Sequence, residues 1–275
     1  MARQSEKWYF SKFIWLLDCF TFTYFKYPLA GGCISILLMK SKPLFNADLG
    51  EGIGNDKNLM PLIQACNIAC GGHTGDAQEI QKTIALAKAY HVKIGAHPSY
   101  PDREFFGRRS LAIKPSELYE SLLNQIKEIL GPLAGEKLHH IKPHGALYHD
   151  CVNETSCAQI FVDAVEKCCP EAIIITAPQS ALGTLAEQKG YKVWREAFLD
   201  RAYEANGQLV SRLKDGAILD TLEAIENRLR NLTQKSGVYS IDGKWINLKA
   251  DTYCVHGDHP NAAKLLKAVL KNFNN

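Results

Sequence analysis

From Pro43 onward the chain alternates between short apolar runs and longer stretches whose apolar residues recur every three or four positions. The short runs predict strands at 44–48, 62–69, 92–96, 138–141, 172–177, 191–195 and 252–255, with 172–177 (Ala-Ile-Ile-Ile-Thr-Ala) the clearest buried one. The periodic stretches predict helices at 76–90, 117–130, 155–168, 180–189, 218–235 and 261–273. Ile80, Ile84, Leu86 and Ala87 fall on one side of the first helix, and Asp76 stands where a cap is needed. Leu118, Leu122, Ile126 and Ile129 line the second, and Gly190 supplies the stop of the fourth. Runs 238–241 and 244–247 flank Asp242-Gly243, which predicts a hairpin on a two-residue turn. Strands that alternate with helical crossovers imply an α/β protein, a parallel (β/α) barrel of about seven strands.

The polar residues keep the same phase. Apolar runs stop at His73, His97, His144 and His256, each beside glycine, proline or a carboxylate. In a parallel barrel the windows just after the strands form one rim, so these groups are expected to share a pocket. Asp48 and Glu51, separated by Leu49 and Gly50, suit acid–base or metal work, and suit equally the bonding of turn amides. His73 on a Gly-Gly turn, and His256 followed by Gly257 and Asp258, have the form of bases, the second with an orienting carboxylate. Asp76 has an ordinary role as a helix cap, and His97 before Pro98 also fits a satisfied core imidazole. Lys142 at a strand end needs an anionic partner or a lowered pKa. Arg108 and Arg109 follow Phe105-Phe106-Gly107, a loop suited to clamping an anion, and Glu196, Asp200 and Arg201 suit an internal ion-pair network or substrate binding.

The candidate catalytic set is therefore Asp48, Glu51, His73 and His256. The candidate substrate- and anion-binding set is Asn67, His97, Arg108, Arg109, Lys142, His144, Glu196, Asp200, Arg201 and Asp258. Asp48, Glu51, His73 and His97 offer oxygen and nitrogen ligands. No His-x-x-x-His or His-Glu-x-x-His spacing is present, so the sequence predicts no resident metal and leaves the question of a divalent ion open. Phosphate-loop and dinucleotide fingerprints are absent.

Composition narrows the classes. Hydrophobic residues make up 46% and charged residues 22%, ordinary globular usage with enough apolar side chains for a large core. A net charge of +3 without a Lys/Arg cluster argues against a nucleic-acid partner. Most of the chain holds no apolar run long enough to span a membrane. Nine cysteines form no Cys-x-x-Cys pair, which points to reduced thiols and a cytoplasmic protein. Residues 1–38 differ from the rest. They are crowded with aromatics, show no steady helical period, and hold Asp18 within the apolar stretch, so they fail as a signal peptide. The expectation is an atypical extension, disordered or a start-site artefact, ahead of a single barrel domain at 39–275, with an interfacial anchor as the alternative.

Seven motifs carry a resemblance: Asn46-Ala-Asp48-Leu-Gly-Glu51, Ala69-Cys-Gly-Gly-His73-Thr-Gly-Asp76, Gly95-Ala-His97-Pro98, Phe106-Gly-Arg108-Arg109, Lys142-Pro-His144-Gly-Ala-Leu-Tyr148, Asp200-Arg201-Ala-Tyr203 and Val255-His256-Gly-Asp258. Through them residues 45–269 resemble the LamB/YcsF family of 5-oxoprolinase A subunits. The resemblance implies a barrel in the fold group of glycoside hydrolases and polysaccharide deacetylases. It also implies ATP-dependent opening of 5-oxo-L-proline to L-glutamate, with ATP as co-substrate and subunits B and C as partners. The chain departs from the family at Ala65-Cys66, where Ser-Ala is frequent, and at Gly72 and Leu199, where Phe and Ala are frequent; no charged motif residue is lost.

A lactam is a stabilised amide. Phosphorylating its oxygen makes the ring carbon a better electrophile for water. That chemistry needs cations for phosphate and carboxylate, for which Lys142, Arg108 and Arg109 are candidates. It also needs an acid and a base, for which Asp48, Glu51, His73 and His256 are unranked candidates. Two other readings use the same pocket: a metal-dependent amide hydrolase or deacetylase, and a non-catalytic subunit that presents substrate to its partners.

Overall fold

Seven short parallel strands hydrogen-bond edge to edge until the last meets the first. The structure, a computed structural model, describes residues 20–29, 32–257 and 261–273. It divides into two units, residues 1–43 and 44–275. In the first, β1 (Phe20–Leu29) pairs antiparallel with β2 (Gly32–Ser41), Phe20 opposite Ser41 and Leu29 opposite Gly32. The rest of the expected N-terminal extension, residues 1–19 with 30 and 31, lies outside the described residues, as does Asp258.

The second unit is the barrel. Its strands are β3 (Phe45–Leu49), β4 (Ala65–Ala69), β5 (Lys93–His97), β6 (His140–Ile141), β7 (Ile173–Thr176) and β8 (Val193–Phe198). After a small hairpin of β9 (Gly237–Tyr239) and β10 (Trp245–Asn247), β11 (Thr252–His256) closes the ring between β8 and β3. The helices are α1 (Asp56–Leu59), α2 (Ala77–Ala89), α3 (Pro115–Leu133), α4 (Gly145–Asn153), α5 (Thr155–Cys168), α6 (Ala181–Gln188), α7 (Leu222–Lys235) and α8 (Ala262–Phe273). The parallel (β/α) barrel of seven strands expected from the alternation is the observed fold.

Period-two alternation splits each strand between two environments. One set of side chains, including Phe45, Ala47, Leu49, Ile68 and Ile174, packs under the helices with Ile80, Leu122, Ile126, Ile129 and Phe161. Each fully buried aliphatic or aromatic side chain of that layer contributes about 1.5–3 kcal/mol. The other set faces the barrel axis. Its floor is apolar, built from Ala65, Ile173, Ile175 and Trp194. Above the floor it turns polar: Asn46, Asn67, His140 and Thr252 are all buried, and Asp48, His97, Lys142 and Glu196 follow.

Asn46, Asn67, His140 and Thr252 satisfy one another, as burial demands. Asn46 Nδ2 donates to Thr252 Oγ1 at 2.9 Å, and Asn67 Nδ2 donates to Asn46 Oδ1 at 2.8 Å. His140 Nε2 lies 2.9 Å from Asn67 Oδ1. The His140 ring occupies the space beside Gly95, where an added Cβ would stand 2.2 Å from Nε2.

Local signals place the helix starts. Asp76 accepts from Glu79 N at 2.9 Å and caps α2, and Ser180 accepts from Gly183 N at 2.9 Å and caps α6. Three expectations are corrected. Helix α7 starts at Leu222 rather than 218, because Leu219 N bonds Asp200 O, Ile218 bridges to Arg201, and Thr221 is the cap. The hairpin ladder ends at Tyr239–Trp245, wider than a two-residue turn, because Ile241 N bonds Tyr203 O instead of a cross-strand partner. Strand β8 runs on to Phe198, so Glu196 lies within a strand rather than after one. Helices α1 and α4 fall outside the elements that periodicity predicts.

Candidate active site

Lys142 is the centre of the barrel mouth. Its backbone N bonds Ala96 O, continuing the β6 ladder one residue past the strand and aiming the side chain along the axis. The ammonium is 2% exposed and meets Asp48 Oδ1 at 2.9 Å, Glu196 Oε1 at 3.0 Å and Cys254 Sγ at 3.3 Å. The Glu196 contact is an ion pair without hydrogen-bond alignment. Burial favours loss of the lysine proton, but Asp48, Cys254 and Glu196 outweigh it and hold the pKa well above the ordinary lysine range. Burial likewise pushes the Asp48 carboxyl up, and its contacts with His97 and Lys142 pull it well below the usual carboxylate range. Asn67 Nδ2 also donates to Asp48 Oδ1 at 2.8 Å, so Asp48 is fixed from two sides.

Three imidazoles lie against this centre. His97, the last residue of β5, places Nε2 3.3 Å from Asp48 Oδ2 and 3.0 Å from His144 Nδ1, with Nδ1 2.8 Å from Lys142 O. His144, immediately before α4, places Nε2 2.9 Å from Phe106 O. His73 stacks on His144 with ring centroids 3.6 Å apart and planes 2° from parallel, and Phe106 covers both edge-on. Glu51 Oε1 lies 3.4 Å from His73 Nε2 and 3.7 Å from His144 Nδ1. Burial, reinforced by the neighbouring imidazoles and, for His73, by Arg108 and Arg103, holds His73 and His144 well below the ordinary histidine pKa, so both are neutral at neutral pH.

The backbone allows this packing at two turns. The turn before His73 closes through Gly71 N to Thr74 O, and Arg103 clamps it by donating to Gly71 O and Gly75 O. Gly107 has φ +65°, and a Cβ there would stand 2.9 Å from His73 Cβ and 3.0 Å from His144 Cδ2.

On the opposite side of Lys142, His256 ends β11. Its Nδ1 lies 3.0 Å and 3.1 Å from the two Asp200 carboxylate oxygens, and its backbone N donates to Asp200 Oδ2 at 2.8 Å. Phe198 stacks on the ring, with planes 14° apart. Burial opposes ionisation of Asp200, yet the bonds and charge of His256 hold its carboxyl below the usual value. The His256 side chain is 15% exposed, more than His73, His97 or His144.

The structure thus brings together Asp48, Glu51, Asn67, His73, His97, Lys142, His144, Glu196, Asp200 and His256. Glu196 faces Lys142, Asp200 faces His256, and Arg201 Nη2 donates to Val210 O at 2.6 Å. Arg109 is drawn away by Asp102 at 3.6 Å and by Phe105, over whose ring its guanidinium sits at 3.0 Å. Arg108 sits 5.0 Å over Phe106, at the edge of the histidine cluster. Cys254, His140 and Arg103 escape a reading of the sequence. The first two alternate inward with Thr252–His256 and with Lys142, a signal available once strand phase is known; for Arg103 there is none.

Among the described residues, three sets of side chains each place one donor atom per residue within 4.8 Å of the others: Asp48–His97–His144, Glu51–His73–His144 and Asp48–Cys254–His256.

A profile of the LamB/YcsF family matches residues 44–275. The 5-oxoprolinase A subunit of Pyrococcus horikoshii is 38% identical over 233 residues, covering 82% of this chain and 91% of its own. The protein of the same name from Acinetobacter baumannii is 40% identical over 231 residues, with the same coverage of 82% and 91%. Among solved structures, a lactam utilization protein from Thermus thermophilus superposes with a TM-score of 0.77 at 34% identity, covering 85% of this chain and 97% of its own.

Proposed function

Because the chain belongs to the LamB/YcsF family, we propose that it is the A subunit of a 5-oxoprolinase, opening 5-oxo-L-proline to L-glutamate with hydrolysis of ATP. In this reading it works in the cytoplasm with partner subunits B and C. The supporting observation is that relatives named as 5-oxoprolinase A subunits align with 82% of the chain, while the family profile spans residues 44–275, the barrel that carries the site. No helix among the described residues is long and apolar enough to cross a membrane.

We rank the acid–base candidates by their surroundings. His256 has an orienting carboxylate in Asp200 and the most solvent access of the four histidines at the mouth, and we assign it the proton transfers: from the attacking water and to the ring nitrogen as it leaves. Asp48, held ionised by Lys142, is a weak base and acts as a fixed negative charge. Lys142 faces two carboxylates already, so we assign it to holding them in place rather than to an incoming anion. Arg108, at the Phe106 edge, is the better candidate for the substrate carboxylate or a phosphate.

The test is glutamate and phosphate release from 5-oxoproline and ATP, with this chain present or absent beside subunits B and C. Glutamate is expected only with the complete set. His256→Gln is expected to lower turnover by about 10²–10⁴-fold while folding normally. Full activity of that variant would remove His256 from the role, and no glutamate from the complete wild-type set would remove the reading.

A further inference from the structure

Two histidine nitrogens face each other here, and in neutral rings no hydrogen lies between them. His97 Nδ1 lies 2.8 Å from Lys142 O, and a carbonyl only accepts, so Nδ1 carries the ring hydrogen. His144 Nε2 lies 2.9 Å from Phe106 O and carries its hydrogen for the same reason. In neutral rings this leaves His97 Nε2 and His144 Nδ1 as bare lone pairs, and they are 3.0 Å apart. A third acceptor, Asp48 Oδ2, is 3.3 Å from the same His97 nitrogen. Glu51 Oε1 approaches from the far side, 3.7 Å from His144 Nδ1 and 3.4 Å from His73 Nε2. His73 is 1% exposed, and neither of its ring nitrogens has a hydrogen-bond partner. Around His97 Nε2 acceptors meet acceptors, beside a buried imidazole that no hydrogen bond satisfies, an arrangement that a cation would satisfy.

We propose that this cluster binds one first-row divalent metal ion of the zinc type, held by Asp48, His97 and His144 with Glu51 and His73 completing its surroundings. Metal–ligand bonds of about 2.0–2.1 Å at tetrahedral to octahedral angles set donor atoms about 2.9–3.4 Å apart. The His97–His144 and His97–Asp48 separations of 3.0 and 3.3 Å fall in that range, and the His73–Glu51 separation of 3.4 Å lies at its edge. The outer groups fit as well. Metal-bound imidazoles generally donate the other ring N–H to a carbonyl or carboxylate, as both His97 and His144 do here, and Asn67 and Lys142 orient Asp48 through its other oxygen. Two imidazole ligands, with a third imidazole beside them, favour zinc, cobalt, nickel or iron over magnesium or calcium, which prefer oxygen. Because each ring nitrogen binds a single ion and His144 Nδ1 belongs to both donor sets, one ion is assigned, not two. The five residues come from the ends of separate strands and the loops that follow them, which is why no helical His-x-x-x-His spacing announces them.

A single shared proton between His97 and His144 is the competing arrangement, and metal analysis separates the two. The full chain, freed of any histidine tag, is stripped with a chelator, checked for folding by circular dichroism and titrated calorimetrically with Zn²⁺, Co²⁺ and Mn²⁺. Uptake of about one equivalent is expected, with visible d–d bands on Co²⁺ and a thermal midpoint raised by the ion. His144→Ala and Glu51→Gln are each expected to weaken uptake by at least about 10-fold. His149→Ala, a change at an exposed histidine, is expected to leave it unchanged. Folded, chelator-treated wild-type protein that takes up none of the three ions would overturn the proposal in favour of the shared proton. So would uptake that both site variants leave intact. The measurement uses neither lactam, ATP nor partner subunits, so its failure and that of the 5-oxoprolinase reading are separate results.

Discussion

A lysine with 2% exposure survives in a barrel only because two carboxylates meet it, and the reverse dependence is as strong. Removing the ammonium leaves Asp48 and Glu196 buried without their cation. Lys142→Met is therefore expected to cost about 3–5 kcal/mol of unfolding free energy, read by urea denaturation at neutral pH. The pH dependence has a definite sign. Asp48 sits below its ordinary pKa in the intact protein, so its contribution is present above the unfolded carboxyl range and is lost as pH falls through the folded value. Without Lys142, burial acts on Asp48 with less opposition. The deficit of the variant is thus expected to be widest near neutrality and to narrow as pH is lowered toward about 4. An unchanged deficit across that range would separate Lys142 from Asp48 energetically. At this scale the sequence shows which residues are chemical and not which are paired. Lys142 stands in it as a group awaiting an anion, and the anions it meets are the protein's own.

At the level of elements, local periodicity carries most of the strands and helices, since burial of one face imposes a repeat that is visible along the chain. Its failures are where a contact from elsewhere displaces the local preference. The loop before α7 is held by Asp200 and Arg201, and the hairpin turn is widened by Tyr203. Helix α4 follows Lys142-Pro143-His144 and starts on Gly145, a stretch that reads as a loop, and His144 at its cap lies edge-on to Phe106. Strand β5 shows the tightest constraint. Gly95 opposes Asn67 on β4 and His140 on β6, and the His140 ring fills the volume a side chain would need. Gly95→Ala is expected to destabilise by about 1–3 kcal/mol, as overpacking does, measured by thermal or denaturant unfolding. Because His140 holds Asn67, and Asn67 holds Asp48, displacing the ring should also disturb the polar layer; stability equal to wild type would show that the ring moves freely.

For the whole molecule, closure is the governing fact. Every edge of the barrel is paired within residues 44–275, since β11 lies between β8 and β3, and neither β1 nor β2 takes part in the ring. A chain beginning at Met39 is therefore expected to unfold with a midpoint within about 2 °C of the full chain, a difference below roughly 1 kcal/mol for a domain of this size. Calorimetry on both forms checks it, and a larger drop would mean that the first unit supports the barrel. Closure also explains why the mouth can hold so much charge. A ring of strands with helices outside keeps the large apolar core between sheet and helices, leaving the upper axis to polar groups that bond one another.

The sequence alone determined the type and order of most elements, the seven-strand parallel ring they imply, and the rim on which the histidines and carboxylates fall. Those properties depend on periods of two and 3.6 residues, which are local and therefore legible. Tertiary structure decided the pairings. It set Lys142 between Asp48 and Glu196, and Asp200 on His256. It also brought the nitrogens of His97 and His144, 47 residues apart in the chain, to 3.0 Å. Such meetings depend on the register and stagger of the whole closed ring, which packing sets and no single segment encodes.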